Sequence, residues 1–295
     1  MKINVTKNLK ELSLLFENNG HQLYLVGGYV RNAILGFCET DVDLCGTATV
    51  AEVLSFVPKN LYSVELVNKK LGTLHLISKF NDEIFEYTTF RSENYPQGGK
   101  HSPEEVVFVR DIKLDAKRRD FSANAIYYDI KNEKIVDFYD GVKDTKAHVL
   151  KTVETPEVVF KSDGLRMLRM VRFACELNFK IDKHTFDVAK QMISNLNSIS
   201  HERFGKEIGN TLFADYKYSA IDNQQSHVQG IVYLTKLNAW PYVFGKLYKT
   251  FNIDKALPTK DFSKLLKVST SANRTLCFVI DFLNGLDNKK ITAFM

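Results

Sequence analysis

Two glycines and an arginine near the N-terminus have the spacing of a phosphate-binding turn. The apolar segment Leu23–Val26 predicts a buried strand, and Gly27 and Gly28 follow it directly. Glycine lets the backbone approach a phosphate closely, and a helix that begins there turns its N-terminus towards the negative charge. Arg31 falls in the first turn of this predicted helix, where its guanidinium can bind an outer phosphate.

Asp41 and Asp43 are separated by one residue in a segment rich in valine and leucine. Residues i and i+2 of a strand project from the same face, so both carboxylates can share divalent cations, and we expect two magnesium ions. Taken alone, a Gly-Gly pair is usually a turn and an Asp-x-Asp pair is usually a solvated strand edge. Their combined order predicts phosphoryl chemistry on a nucleotide.

A second charged motif reads Arg-Arg-Asp-Phe-Ser-Ala-Asn-Ala from Arg118 to Ala125. Asp120 can accept hydrogen bonds from ribose hydroxyls, and Arg119 can pair with a phosphate. The alternative is a capped helix start with exposed charges.

A third motif begins at Ser162, where Asp163 and Arg166 are three residues apart. This spacing places an acceptor and a forked donor side by side on one helical face, where they can pair with the edge of cytosine or adenine. An ordinary surface salt bridge is the competing interpretation. Arg169 and Arg172 continue the same spacing.

These motifs, in this order, resemble the class II nucleotidyltransferases, the family of the tRNA CCA-adding enzymes and bacterial poly(A) polymerases. The resemblance covers residues 20–215 and departs from the family at Ser162, where a glutamate is usual. It implies that Asp41 and Asp43 are the catalytic, metal-binding residues, with a larger nucleotide-binding set. That set comprises Gly27, Gly28, Arg31, Arg119, Asp120, Asn124, Asp163, Arg166, Arg169 and Arg172.

The resemblance implies template-independent addition of C-C-A to the 3′ end of tRNA from CTP and ATP, with two Mg²⁺ ions as cofactors. Poly(A) polymerase and partial CC-adding or A-adding enzymes are alternatives with the same motifs. A catalytically silent RNA-binding protein is the alternative of another class, and the intact Asp41 and Asp43 argue against it. Two interpretations of Glu86 are open: a third metal-binding carboxylate or a solvated strand residue.

The elements that must position these residues differ between the two halves of the chain. Short apolar runs between residues 23 and 109 predict strands, and after Pro156 apolar residues recur at helical spacing. Between the predicted strands, Ser92–Pro103 has the proline and glycine content of a loop. We therefore expect an α+β protein with a small mixed-sheet head followed by all-helical neck and body domains. The predicted domains are residues 1–145 (head), 146–215 (neck) and 216–295 (body and tail).

Composition limits the class of protein. The chain has 295 residues, of which 44% are hydrophobic, enough for two or more domains, and its net charge of +5 suits a polyanionic partner. No apolar run reaches the roughly 18 residues that span a bilayer, and the N-terminus lacks the apolar core of a signal peptide. Four widely separated cysteines fit reduced thiols. We expect a cytoplasmic enzyme that binds the tRNA acceptor end, with no membrane association and no obligate protein partner.

Overall fold

The computed structural model describes residues 3–37, 41–96, 99, 102–218, 220–221, 225–245, 248, 265, 270, 273–275 and 277–279. The chain divides into two compact units. The first contains Met1–Tyr95 and Pro103–Thr155, and the second contains Pro96–Ser102 and Pro156–Met295. The predicted domain limits at residues 145 and 215 stay predictions.

The first unit combines helices with strands. Its helices are α1 (Lys7–Asn18), α2 (Gly28–Leu35), α3 (Val50–Phe56), α4 (Ile112–Lys117) and α5 (Gly141–Lys146). Its strands are β1 (Leu23–Val26), β2 (Val42–Gly46), β3 (Tyr62–Asn68), β4 (Thr73–Ser78), β5 (Ile84–Thr89), β6 (Arg91–Asn94), β7 (Glu105–Phe108), β8 (Ile126–Asp129), β9 (Lys134–Asp137) and β10 (Val149–Leu150).

Seven of these strands form one sheet in the order β3-β4-β5-β2-β1-β8-β9. Strands β2 and β5 run parallel, whereas β1 pairs antiparallel with both β2 and β8, so the sheet is mixed. Strands β6 and β7 form a separate antiparallel pair. The loop predicted over Ser92–Pro103 is therefore wrong for Ser92–Asn94, because backbone pairing with β7 makes this polar segment a strand. Residues 97–98 and 100–101 of that loop lie outside the described residues.

The sheet has an apolar layer on each face. Leu23 and Leu25 of β1 belong to the larger core, which also contains residues of α1, α2 and α3. Tyr24 and Val26, which alternate with them, belong to a smaller core with Cys45 of β2. Because alternate residues of a strand point to opposite faces, the smaller core marks the face on which Asp43, two residues before Cys45, must lie.

The local sequence of α1 explains this helix, which the sequence analysis did not predict. Thr6 caps the helix, since its Oγ1 accepts a hydrogen bond from the backbone N–H of Leu9 at 3.3 Å. Leu9, Leu12 and Phe16 are buried and follow the helical repeat. This helix therefore covers the larger core.

The second unit is helical apart from the short strand β11 (Lys180–Ile181) in the described residues. Its helices are α6 (Pro156–Ser162), α7 (Leu165–Leu177), α8 (Lys183–Gln191), α9 (His201–Leu212), α10 (Ser226–Lys236) and α11 (Trp240–Phe244). Helix α7 packs against both α9 and α10. The predicted α+β class, a mixed-sheet head followed by helices, is confirmed. No helix in the described part of the chain has the length and apolar character needed to cross a membrane.

Candidate active site

Gly27 lies where three distant segments of the first unit meet. Its backbone, with φ 69° and ψ −125°, adopts a conformation that is essentially restricted to glycine. A Cβ atom at this position would lie 3.9 Å from Oδ2 of Asp43, 3.9 Å from Nη1 of Arg119 and 3.7 Å from the backbone oxygen of Asn124. The structure therefore brings these four predicted site residues together around a position that has no side chain.

Asp43 lies in β2, and Asp41 precedes that strand in an exposed position. Glu86 of β5 is the register partner of Asp43 on the parallel neighbouring strand. Burial and the carboxylates of Glu86 and Asp41 raise the pKa of Asp43 to about 6, against the opposite effect of Arg119 and Arg31. The site thus concentrates negative charge beside Asp43.

The donor chemistry of this site suits a hard divalent cation. Carboxylate oxygens are the ligands that Mg²⁺ prefers, and Mg²⁺ usually takes only one or two of them, with water and substrate phosphates completing its shell. The neighbouring carboxylates that raise the pKa of Asp43 are the anionic surroundings that a cation would neutralise. Asp41 and Asp43 are therefore chemically suited to bind Mg²⁺.

A metal-binding role for Glu86 stays a prediction. No three His, Cys, Asp or Glu side chains are grouped as a metal site among the residues that the structure describes. Glu86 Oε2 lies 3.6 Å from Nε2 of His75, and half of the Glu86 side chain is exposed.

Arg119 is held by two side chains that the sequence analysis did not identify. Its Nε donates to the hydroxyl of Tyr127 at 2.9 Å, and its Nη2 donates to Oδ2 of Asp115 at 3.1 Å. The guanidinium also lies over the Tyr127 ring, 5.1 Å from the centroid. The conformation of this predicted phosphate ligand is thus set within the protein.

Asp115 is fully buried and binds several donors at once. It accepts hydrogen bonds from Arg118 at 2.8 Å, from the Tyr127 hydroxyl at 2.8 Å and from the backbone N–H of Arg91 at 3.2 Å. Burial alone would raise the pKa of Asp115, but Arg118 and Arg119 together with these hydrogen bonds hold it well below its usual range. Asp115 is three and four residues before the two arginines, and this helical spacing was the sequence signal that could have predicted their pairing.

Arg31, Asn124 and Asp120 form a chain of buried hydrogen bonds. Arg31 Nη1 donates to Oδ1 of Asn124 at 2.5 Å, and its Nε and Nη2 donate to Oδ1 of Asn32 at 3.1 and 3.0 Å. Asn124 Nδ2 donates to Oδ1 of Asp120 at 3.1 Å, which also accepts the backbone N–H of Phe121. Arg31 is only 1% exposed. Its contacts in the structure therefore brace Asn124, whose backbone oxygen faces Gly27.

In the second unit, Asp163 and Arg166 lie at the start of α7, and both are buried. Asp163 Oδ1 accepts the backbone N–H of Leu165 at 2.9 Å. Arg166 Nε is 3.9 Å from Oδ2 of Asp163, and its Nη1 donates to Oγ of Ser162 at 3.1 Å. Their burial excludes the exposed surface salt bridge that was the competing interpretation.

The turn before α7 contacts one described residue of the predicted loop. The backbone N–H of Gly164 donates to the backbone oxygen of Gly99 at 2.8 Å. A Cβ atom on either glycine would lie within 2.7 Å of Asn195. Gly99 thus packs beside the residue that follows Asp163.

Arg169 and Arg172 share an aromatic contact, and Arg172 also pairs with two carboxylates. The guanidinium of Arg169 lies 5.1 Å from the centroid of the Phe173 ring, and that of Arg172 lies 4.2 Å from it. Arg172 Nε donates to Oε2 of Glu207 at 2.7 Å, and its Nη1 donates to Glu176 at 3.0 Å. Although burial opposes it, pairing with Glu176 and Glu207 raises the pKa of Arg172. Arg172 therefore joins α7 to α9, and nucleotide binding by both arginines stays a prediction.

Known proteins are similar to this chain in sequence and in fold. Residues 23–151 match the family described as the poly A polymerase head domain. A CCA-adding enzyme of Staphylococcus epidermidis (strain ATCC 12228 / FDA PCI 1200) is 36% identical over 208 residues, which are 70% of this chain and 50% of that protein. The chain spans about half the length of this relative.

Solved structures of CCA-adding enzymes have a similar fold. The Bacillus stearothermophilus enzyme in complex with CTP is 27% identical, with a TM-score of 0.69 over 88% of this chain and 55% of that one. The Thermotoga maritima enzyme complexed with tRNA has a TM-score of 0.70 at 20% identity, over 99% of this chain and 66% of that one. The chain thus belongs to the family of the CCA-adding enzymes and bacterial poly(A) polymerases.

Proposed function

We propose that this protein adds C-C-A to the 3′ end of tRNA, using CTP and ATP and no nucleic-acid template. The observation that carries the proposal is the approach of the Asp43 carboxylate and the Arg119 guanidinium to Gly27, each 3.9 Å from the position of its missing Cβ atom. A carboxylate beside a cation and an open backbone turn suits a bound nucleoside triphosphate and its metal. The CCA-adding relatives support the choice of substrates.

Asp41 and Asp43 would hold two Mg²⁺ ions. When bound, these ions lower the pKa of the attacking 3′-hydroxyl and neutralise charge on the triphosphate. Phosphoryl transfer leaves the protein mainly the work of alignment and charge stabilisation. Gly27 and Gly28 would admit the triphosphate at the N-terminus of α2, and Arg119 would bind a phosphate oxygen.

The other predicted residues would select the nucleotide. Asp120, held by Asn124, would accept the ribose hydroxyls. Asp163 and Arg166 would pair with the base edge and so replace a template, since a buried donor and acceptor discriminate strongly between bases. Arg169 and Arg172 would assist on the same helix.

We further propose that residues 1–145 form the catalytic head and residues 146–215 the neck that binds the base and RNA. Residues 216–295 would form the body and tail and contact the tRNA. A cytoplasmic location accompanies this substrate.

The test uses the full chain, Mg²⁺ and a tRNA that ends at the discriminator base. CTP, ATP or both are supplied, and the 3′ ends are sequenced, with Asp43→Asn as the matched control that keeps the size of the side chain. Ends that stop at C-C-A only when both nucleotides are present would support the proposal.

Each other outcome would indicate a different function. C-C ends alone, or A added only to C-C ends, would indicate a partial enzyme, and a long A tract would indicate a poly(A) polymerase. No extension, with retained tRNA binding, would indicate the silent RNA-binding protein.

A further inference from the structure

We propose that Asp115 is a positioning residue for Arg119 and thereby sets the affinity of the site for the triphosphate of the incoming nucleotide. Asp115 belongs to none of the motifs predicted from the sequence. The inference rests on the proposed function, because it concerns how that site binds its nucleotide.

Asp115, Tyr127 and Arg119 form a closed triangle of hydrogen bonds. Arg119 donates to both partners at 3.1 and 2.9 Å, and the Tyr127 hydroxyl donates to Oδ2 of Asp115 at 2.8 Å. These contacts engage Nε and Nη2 of Arg119. Its Nη1 is the atom that faces Gly27 and lies 3.9 Å from the position of the missing Cβ atom. The triangle therefore fixes the direction in which Arg119 presents a donor.

Burial makes this arrangement rigid. Asp115 has no exposed surface, and the side chain of Arg119 is 17% exposed. An arginine that is already ordered loses less rotamer entropy when it binds a phosphate, so an ordered Arg119 binds the nucleotide more tightly. Loss of Asp115 should therefore raise KM for the nucleotide more than it lowers kcat.

If Asp115 had only a structural role, its loss would lower stability without raising KM specifically. Glu93 provides the matched control for such a loss. The Glu93 side chain is 4% exposed and accepts hydrogen bonds from Arg91 at 2.6 Å and Arg118 at 3.4 Å. It belongs to the same buried charge network as Asp115. Glu93→Gln should therefore lower stability as Asp115→Asn does, and leave KM unchanged.

The experiment measures KM for CTP and kcat on a tRNA without its 3′ end, together with CTP and CMP dissociation constants by calorimetry in Mg²⁺. We expect Asp115→Asn to raise KM and the CTP dissociation constant about tenfold, with kcat changed less than about threefold. CMP should be affected less, since it lacks the outer phosphates. Tyr127→Phe keeps the carboxylate and should raise KM about threefold.

A double-mutant cycle tests whether Asp115 acts through Arg119. In an Arg119→Ala background, Asp115→Asn should raise KM no further, because the group that it positions is gone. Equal fold-increases in both backgrounds would overturn the proposal.

The remaining outcomes separate this inference from the proposed function. An active wild-type protein whose KM is unchanged in Asp115→Asn overturns the inference alone. If Asp115→Asn does not fold, Tyr127→Phe decides, and an unchanged KM there overturns the inference. A wild-type protein that neither binds CTP nor extends RNA overturns the proposed function and this inference with it.

Discussion

Asp43 and Glu86 are register partners on the parallel strands β2 and β5, so their carboxylates share one face of the sheet. Among the charged neighbours that raise the pKa of Asp43, Glu86 acts more strongly than Asp41. The carboxylate that we propose as a cation ligand is thus partly protonated near pH 6 because of its own surroundings.

The first prediction concerns the pH dependence of activity. At low Mg²⁺, activity should fall as the pH decreases through about 6, the pKa of Asp43, because the protonated acid cannot hold a cation. Glu86→Gln removes a negative neighbour, so the pKa of Asp43 and the acid limb should both move to lower pH. The measurement is kcat/KM between pH 5 and 8. Glu65→Gln is the control, and an identical shift there would contradict the prediction.

The second prediction concerns stability without metal. The pKa of Asp43 lies above its ordinary value of 3.8, so the folded state binds this proton more tightly than the unfolded state does. The stability that this provides is fully present below about pH 4 and is lost as the pH rises through 6. At pH 7.5 in EDTA, Asp43→Asn should therefore be more stable than the wild type, by on the order of 1 kcal/mol.

Thermal unfolding at pH 4 and pH 7.5 checks this, since the difference between the two proteins should shrink at pH 4. Mg²⁺ should raise the melting temperature of the wild type more than that of Asp43→Asn. A variant that is less stable than the wild type at pH 7.5 in EDTA would show that the charge on Asp43 is not destabilising.

The third prediction concerns Gly27. Gly27→Ala should cost about 1–3 kcal/mol from backbone strain and should abolish nucleotide addition, because its Cβ would occupy the space between Asp43 and Arg119. Gly245 has the similar angles φ 52° and ψ −125°, and outside its immediate chain neighbours no atom of the described residues lies within 4 Å of where its Cβ atom would be. Gly245→Ala should therefore strain the backbone as much as Gly27→Ala does, but keep full activity in the extension assay. Equal activity of the two variants would contradict the assignment of this space to the substrate.

The fourth prediction concerns the choice of nucleotide. Asp163→Ala and Arg166→Ala should blur the choice between CTP and ATP more than they slow addition, whereas Asp43→Ala should stop addition. The ratio of C to A incorporated from an equal mixture measures this. Asp215→Asn breaks a buried ion pair with Arg274 in the same unit and should leave the ratio unchanged. Full discrimination in both base-edge variants would refute their role as a template.

The fifth prediction concerns Arg172. Arg172→Ala removes the guanidinium that pairs with the buried carboxylates of Glu176 and Glu207. It should therefore destabilise the protein by about 3 kcal/mol or more. Arg169→Ala removes a cation–π contact from a partly exposed side chain and should cost less than Arg172→Ala does. Urea unfolding of both variants provides the comparison, and similar losses would contradict it.

The sequence by itself determined which residues could act and which elements carry them. The strand Leu23–Val26, the glycines after it and the helical second half depend on local spacing, which fixes the face on which a side chain lies. The polar strand β6 has no such pattern, since its conformation comes from pairing with β7, and it was therefore predicted as a loop.

Only the tertiary structure decided how these residues meet. Residues 27, 43 and 119 converge because β1 lies between β2 and β8 in the sheet, and such pairing depends on contacts far apart in the sequence. The same long-range packing buries Asp115 against Tyr127 and turns Arg172 towards Glu207. Local spacing sets the direction of a side chain from its own element, but its partners are set by which elements pack together.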